Sequence, residues 1–96
     1  MITIYKYPID KTFVLEAPII KPLHVDYQDG IPTLWAMVDT DAQNEEWFIT
    51  YVGTGWNVSN VPQCINPDYY LNTTVKSSYP YVLHWFCGKL ISSMDM

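Results

Sequence analysis

The chain contains no arginine and only five lysines among its 96 residues, against ten carboxylates, which gives a formal charge of −5. Proteins that bind nucleic acid directly neutralise its phosphates with clustered lysine and arginine. Because this chain lacks the residues for such a surface, we expect no direct nucleic-acid partner. The acidity is typical of a soluble protein and would also draw the chain to a basic partner surface.

Cysteine and long apolar runs are also scarce. Cys64 and Cys87 are the only cysteines, and their spacing is not that of a metal-binding motif. No apolar run approaches the roughly 20 residues of a membrane-spanning helix, and the opening MITIYKYPID does not resemble a signal peptide. We therefore expect a cytoplasmic protein with free thiols, no membrane partner, and no metal or cofactor.

Aromatic residues are abundant: 16% of the chain, with eight tyrosines and four tryptophans, within a hydrophobic content of 49%. Aromatic side chains favour β-strands. They also exceed what the core of one small domain easily absorbs, so we expect some of them at the surface, where tyrosine and tryptophan are enriched in protein interfaces.

A hairpin is the clearest local prediction. Leu23, Val25 and Tyr27 alternate with polar residues before Asp29-Gly30, and Asp-Gly between apolar runs favours a tight turn of the primed kind, whose positive φ glycine supplies without a Cβ clash. The second strand, 33–38, has almost no polar residue on either face. Such a strand is either buried on both sides, or buried on one side and used as an interface on the other.

The other strands follow from alternation and from the residues that stop them. We predict strands at Ile2–Tyr7, Phe13–Glu16, Trp47–Val52, Tyr69–Val75 and Tyr81–Cys87, with Pro18 and Pro22 bracketing a connection. The prediction is an all-β, mainly antiparallel fold: a small barrel or sandwich of five to seven strands with one long irregular loop. One domain covers 1–96, with a folded core of 1–88 and a frayed tail at 89–96.

No set of residues predicts catalysis. His24 and His84 are the only histidines, and a histidine on a strand is more often a structural hydrogen-bonding group than a catalyst. Cys87 and His84 are three positions apart on one strand, so their side chains point to opposite faces and cannot form a nucleophile and base. Asp39 and Asp41 more often end strands than bind a cation. We expect no enzyme, and name no catalytic, cofactor-binding or metal-binding residue.

The expected function is binding to another protein. Two strands without a polar face, the aromatic surplus and the acidic balance indicate an interaction surface. Trp56 is the best candidate for exposure because it follows Gly55 and opens the long loop. The candidate partner-binding residues are Trp35, Met37, Trp47, Trp56, Tyr69 and Tyr70.

Three pieces of the chain resemble one family. They are IYKYP at 4–8, HVDYQDGIPTLWAMVDTDA at 24–42, and YVGTGWNV at 51–58 with the closing YVLHWF at 81–86. In order and spacing they resemble small uncharacterised proteins of tailed bacteriophages and prophages. The chain departs from that pattern by a polar insert at 57–78 and by the tail after Phe86.

The resemblance implies a phage protein in the host-cell cytoplasm, and small phage proteins often bind and block a host component. We therefore expect a non-enzymatic inhibitor of a host or anti-phage defence protein, with a homodimer also compatible. One alternative is a sponge that sequesters a nucleotide immune signal, using aromatic stacking and Lys6, Lys21 and Lys76, although the lack of arginine counts against it. Another is a homo-oligomeric structural or minor virion protein.

Overall fold

The structure is a computed structural model that describes residues 1–9, 13–58, 66–76 and 81–90. Its strands are β1 Ile2–Pro8, β2 Val14–Ala17, β3 Ile19–Gln28, β4 Ile31–Asp39, β5 Glu45–Gly53, β6 Tyr70–Lys76 and β7 Tyr81–Lys89, with one short 3₁₀ turn at Pro67–Tyr69. The all-β prediction is confirmed, and each predicted strand is present with ends that differ by a few residues.

Two antiparallel sheets form the fold. The first has three strands in the order β1-β4-β3, and the second has four strands in the order β2-β5-β7-β6. Buried side chains from both sheets share one core. Within the described ranges the strands do not close into a barrel. Of the two predicted architectures, the structure therefore has the sandwich, and the seven strands within the described ranges lie at the upper end of the predicted number.

The turn of the β3–β4 hairpin has the predicted geometry. Asp29 has φ 52° and Gly30 has φ 79°, and positive values at both central residues define the primed turn whose twist matches that of paired strands. Gln28 and Ile31 face each other across this turn. The turn therefore fixes the register that sends Leu34, and every second residue after it, into the core.

The connection predicted between Pro18 and Pro22 is wrong, because the chain continues as a strand. β2 ends at Ala17 in the four-stranded sheet, and β3 begins at Ile19 in the three-stranded sheet. Pro18 is the corner between them, and its carbonyl accepts a hydrogen bond from Asp39 N at 3.1 Å. Strands that change sheet at a bend are a common way to join two packed sheets. Pro22 is tolerated within β3 because β3 is an edge strand.

The core fills the space between the sheets. Leu34, Ala36 and Val38 of β4 are completely buried, as is Val25 of β3. Trp85 of β7 is the largest buried side chain, and its Nε1 donates to Thr74 Oγ1 at 2.9 Å. Fully burying a large apolar side chain contributes roughly 1.5–3 kcal/mol, and the internal hydrogen bond removes the cost of burying the indole N–H.

One side chain connects the edges of the two sheets. Asn72 Oδ1 accepts from Val25 N at 2.8 Å, and Asn72 Nδ2 donates to Val25 O at 2.8 Å. β6 and β3 are the edge strands that meet here. The Asn72 amide thus forms the two backbone hydrogen bonds that a neighbouring strand would otherwise form with Val25. Nearby, Lys76 Nζ lies 5.5 Å from the centre of the Tyr27 ring.

Several predictions fall partly or wholly outside the described ranges. The turn predicted at Ser77-Ser78, most of the long loop and Cys64 lie there. At the other end of the fold, β7 continues to Lys89, and Leu90 N donates to Glu46 O at 2.9 Å. The remainder of the tail, 91–96, is not among the described residues.

Candidate protein-binding face

The outer side of β4 is apolar. Leu34, Ala36 and Val38 point into the core, so the alternating residues Trp35 and Met37 point away from it. Both are half-buried. The structure excludes the arrangement in which both sides are buried: one side of β4 lies in the core, and Trp35 and Met37 on the other side face outward. The use of that outward side as an interface stays a prediction.

The strands on either side of β4 extend this surface. β1 places Ile4 opposite Met37 and Lys6 opposite Trp35. β3 places Lys21 opposite Met37 and His24 opposite Trp35. Directly paired residues of neighbouring strands share a face. We call this surface the apolar-basic face, and it comprises Ile2, Ile4, Lys6, Lys21, His24, Trp35 and Met37; two carboxylates, Asp26 and Asp39, lie on the same side of the sheet.

Large apolar side chains are exposed on and beside this face. Ile2 is 64% exposed and Ile4 is 54% exposed. The pairing of β3 with β4 shifts register twice, and Ile20 and Leu23 are the extra residues at these shifts. They precede Lys21 and His24, the partners of Met37 and Trp35, and both are exposed. Contiguous exposed apolar surface of this kind marks interaction sites more often than scattered single residues do.

The outer face of the four-stranded sheet is built differently. His84 accepts or donates at both ring nitrogens, with Nε2 2.7 Å from Thr54 Oγ1 and Nδ1 2.9 Å from Thr73 Oγ1. Thr73 Oγ1 is also 2.6 Å from the Tyr70 hydroxyl. His84 therefore has the hydrogen bonds that were expected of a histidine on a strand, and its lack of a catalytic role stays a prediction.

Aromatic rings on this second face pack against one another. Phe48 and Tyr69 meet edge to face with centroids 5.2 Å apart, and Tyr70 and Phe86 do so at 5.8 Å. The first pair lies over Gly88, where an added Cβ would come within 2.7 Å of Tyr69 and 2.8 Å of Phe48. We call this surface the aromatic-hydroxyl face; it comprises Phe48, Tyr69, Tyr70, Thr73, His84 and Phe86.

The structure divides the six predicted binding residues among four places. Trp35 and Met37 lie together on the apolar-basic face, whereas Tyr69 and Tyr70 lie on the aromatic-hydroxyl face. Trp56 is 57% exposed, as predicted, with its indole over Gly53.

Trp47 is not on either outer face. It packs against the core, and its buried Nε1 has no hydrogen-bond partner among the described residues. It therefore lies outside the candidate surface.

Sequence reasoning missed the part of the surface that β1 supplies. Ile2, Ile4 and Lys6 show a two-residue alternation in the sequence, but alternation does not reveal which strand lies beside β1. The register with β4 puts Ile4 next to Met37. That long-range pairing creates the surface, and no local pattern encodes it.

The thiol chemistry of Cys87 is suppressed by its position. The side chain is buried on the inner side of β7, opposite Ile49, and is a free thiol. Burial raises the pKa of the Cys87 thiol to about 12, so it stays protonated and unreactive at neutral pH. His84 points to the outer face of the same strand, which confirms that the two side chains lie on opposite faces.

Neither a cluster of metal-ligating side chains nor a membrane-spanning helix is present among the described residues. No three side chains of histidine, cysteine, aspartate or glutamate are grouped there as metal ligands would be. No helix within those ranges has the length and apolar character needed to span a membrane.

Comparison with known proteins identifies the family. A family model described as a domain of unknown function, DUF7352, matches residues 1–92. The chain belongs to the DUF7352 family. No curated protein matches it, and no solved structure matches it. The match covers all seven strands, so the sandwich and both outer faces lie within the DUF7352 domain.

Proposed function

We propose that this DUF7352 protein is a non-enzymatic binding protein that attaches to a partner protein through its apolar-basic face. The observation that carries the proposal is the position of Trp35 and Met37 on the outer side of a buried central strand, beside exposed Ile4. Aromatic residues and methionine are enriched in protein interfaces. Covering such side chains removes apolar surface from water, which favours association.

The partner that we propose is a host or anti-phage defence protein, which the chain inhibits as a phage-encoded protein. This finer proposal rests on the sequence resemblance to phage proteins alone.

A matched pair of variants tests the binding proposal. Ile4→Lys places a charge on the apolar-basic face, and Val75→Lys places the same charge at an exposed position of the other sheet, where Val75 is 67% exposed. Tagged wild type and both variants, each shown by circular dichroism to be folded, would be used to capture proteins from host lysate for mass spectrometry. We expect a stoichiometric partner with wild type and Val75→Lys that is lost with Ile4→Lys. Equal capture by both variants would contradict the proposal.

The nucleotide sponge has one observation in its favour. Lys6 lies opposite Trp35, and Lys21 lies opposite Met37, so two of its three lysines share a face with an indole. The third, Lys76, packs over Tyr27 instead. Calorimetry with cyclic dinucleotides and adenosine-ribose signals tests this function, and the absence of heat from all of them would exclude it. The homo-oligomeric or virion alternative predicts a defined oligomer in analytical ultracentrifugation of the purified protein.

A further inference from the structure

The two edges of the three-stranded sheet differ in how their backbone groups are used. At the β3 edge, Asn72 binds both the N–H and the C=O of Val25. The Asp26 carboxylate accepts a hydrogen bond from Tyr27 N at 2.8 Å, and Pro22 on the same strand has no N–H. β1 forms the other edge of this sheet, and its backbone has no such cap among the described residues.

The ladder between β1 and β4 shows which groups of β1 are open. Ile9 N donates to Pro32 O at 2.7 Å, and Thr40 N donates to Met1 O at 2.9 Å. Both pairs continue the β1–β4 register. Hydrogen-bonded pairs alternate along an antiparallel ladder, so the odd-numbered residues of β1 bond to β4 and the even-numbered ones direct their N–H and C=O groups away from the sheet. The even-numbered residues with both groups open are Ile2, Ile4 and Lys6.

The side chains along this edge are uncovered as well. Ile2 and Ile4 are more than half exposed, and Tyr5 is 45% exposed. Lys6 is exposed and forms no ion pair with the described residues. An exposed edge strand of this kind is a template on which another strand can pair. Pro8 has no N–H, which limits the pairing to the residues before it.

The open groups are symmetric about Ile4, so the edge is complementary to a second copy of itself. When two β1 strands pair antiparallel with Ile4 opposite Ile4, Ile2 lies opposite Lys6, and every open N–H and C=O group of these residues gains a partner. A pairing centred on Tyr5 would instead put Ile2 opposite Pro8. The Ile2 carbonyl would then stay unpaired, because proline has no N–H.

The side chains of β1 also match in the Ile4-centred register. The two Ile4 side chains meet on the outer side of the joined sheet, and Thr3 meets Tyr5 of the other copy on the opposite side. Pairs of apolar residues, and of an aromatic with a β-branched residue, stabilise antiparallel strands. The aliphatic part of Lys6 would cover the exposed Ile2 of the other copy.

The charges on the outer side fit the same register. Ile2 lies opposite Asp39, so Lys6 of the second copy would lie two strand spacings from Asp39, or roughly 10 Å between Cα atoms. The two Lys6 residues would lie farther apart, at roughly 14 Å. Asp39 keeps capacity for this contact, because the Met1 amine lies 2.6 Å from Asp41 and only 3.5 Å from Asp39.

We propose that β1 pairs antiparallel with β1 of a second copy, centred on Ile4, so that two three-stranded sheets join into one continuous sheet. The occupant of the open edge is thus this same chain, because its hydrogen-bonding groups, its side chains and its charges match in a single register. The inference goes beyond the proposed function, since it uses the backbone edge of β1 and does not depend on which protein the outer face binds.

A proline and a valine at the same position test the pairing. Ile4→Pro removes the N–H that points away from β4, which an edge strand tolerates, and Ile4→Val is the control, with a side chain of the same carbon number and its N–H intact. Sedimentation equilibrium from micromolar to millimolar concentration should show a dimer for wild type and Ile4→Val. Losing both central N–H donors should weaken the dimer of Ile4→Pro by about 5- to 160-fold. Circular dichroism would check that each variant is folded.

Disulfide trapping tests the register without proline. Residues in a hydrogen-bonded antiparallel pair have Cα atoms about 5.5 Å apart, which suits a disulfide. Ile4→Cys should therefore give a covalent dimer on mild oxidation. Lys6→Cys, with its two thiols on residues roughly 14 Å apart, should not. Wild type, which has Cys64 and Cys87, is the blank.

Three results would overturn the inference: a monomeric wild type at every concentration, equal dimerisation of Ile4→Pro and Ile4→Val, or a covalent dimer from Lys6→Cys in place of Ile4→Cys. A monomer would mean that the open edge pairs with a different protein or with none. Each of these results leaves the proposed function to be decided separately, by capture from lysate with Ile4→Lys and Val75→Lys.

Discussion

The outer faces of the two sheets differ in where their side chains find partners. On the aromatic-hydroxyl face the rings pair with rings, and His84 bonds to Thr54 and Thr73. On the apolar-basic face Ile4 is exposed, and Lys6 has no ion-pair partner among the described residues. The rings and hydroxyls of the first face contact one another, although Tyr70 and Val75 of that sheet are exposed. On the second face, exposed Ile4 lies beside charged groups that have no ion-pair partner among the described residues.

Surface aromatic residues can serve folding or binding, and the amino-acid composition alone does not distinguish these two roles. An aromatic residue on a surface contributes to folding when its neighbours already contact it, as for Tyr69 over Gly88. We propose that it contributes to binding when the neighbouring surface is open, as for Trp35, whose strand partners Lys6 and His24 are both exposed. We therefore expect substitutions on the first face to change stability and substitutions on the second face to change association.

The largest effect on stability should come from removing the Asn72 side chain, which connects β6 of one sheet to β3 of the other. Asn72→Ala removes both hydrogen bonds to the backbone of buried Val25, and leaving buried polar groups unpaired costs about 1–3 kcal/mol for each group. We expect the free energy of unfolding to fall by about 2–4 kcal/mol in urea denaturation. Val75→Ala, an exposed position three residues along the same strand, is the control and should change it by less than about 0.5 kcal/mol.

A smaller loss should follow from crowding the aromatic-hydroxyl face. Gly88→Ala places a Cβ within 2.8 Å of the Phe48 ring, and overpacking costs typically about 1–3 kcal/mol. Thermal unfolding should show the loss, while capture of the partner remains normal. An unchanged melting temperature would mean that this face is as loosely packed as the other one.

The His84 network should be weaker still, because its members are partly exposed to water. His84→Ala removes the bonds to Thr54 and Thr73, and a typical hydrogen bond contributes about 0.5–1.5 kcal/mol net. We expect a loss of that size in chemical denaturation and no loss of binding. Ile4→Ser, the counterpart on the apolar-basic face, should leave stability within about 0.5 kcal/mol of wild type and weaken binding; the reverse pattern would invalidate the comparison.

The smallest effect on stability at neutral pH should come from Cys87, which lies in the core between the two sheets. The pKa of the Cys87 thiol is raised from 9.0 to about 12 by burial, so the unfolded chain loses this proton at lower pH than the folded chain. Below pH 9.0 the thiol is protonated in both states and does not lower the free energy of unfolding. As the pH rises from 9.0 towards 12, the free energy of unfolding falls. Cys87→Ser should flatten that alkaline decline in urea titrations at a series of pH values. An identical decline in the variant would show that Cys87 does not cause it.

The sequence predicted the fold to the level of its strands and one turn. Alternation located the strands, and Asp29-Gly30 predicted the primed turn that the structure has. The path through Pro18 and Pro22 was not predictable, because proline usually interrupts a strand and only the tertiary structure makes β3 an edge.

The candidate site was predictable only in part. The apolar outer side of β4 was visible in the sequence as a strand without a polar face, which named Trp35 and Met37. Trp47 followed the same rule but faces inward, because a strand that is apolar on both sides does not reveal which side meets the core. The contributions of Ile4 and Lys6 depend on the β1–β4 register, which pairs residues that are at least 25 positions apart.

Hydroxyl-radical footprinting of the captured complex tests the central claim most directly, because methionine, tryptophan and tyrosine side chains all report on it. The account predicts that Met37 and Trp35 are protected from oxidation when the partner is bound, while Tyr70 on the opposite face reacts as it does in the free protein. Protection of Tyr70 with unchanged oxidation of Met37 and Trp35 would contradict the assignment of the binding face.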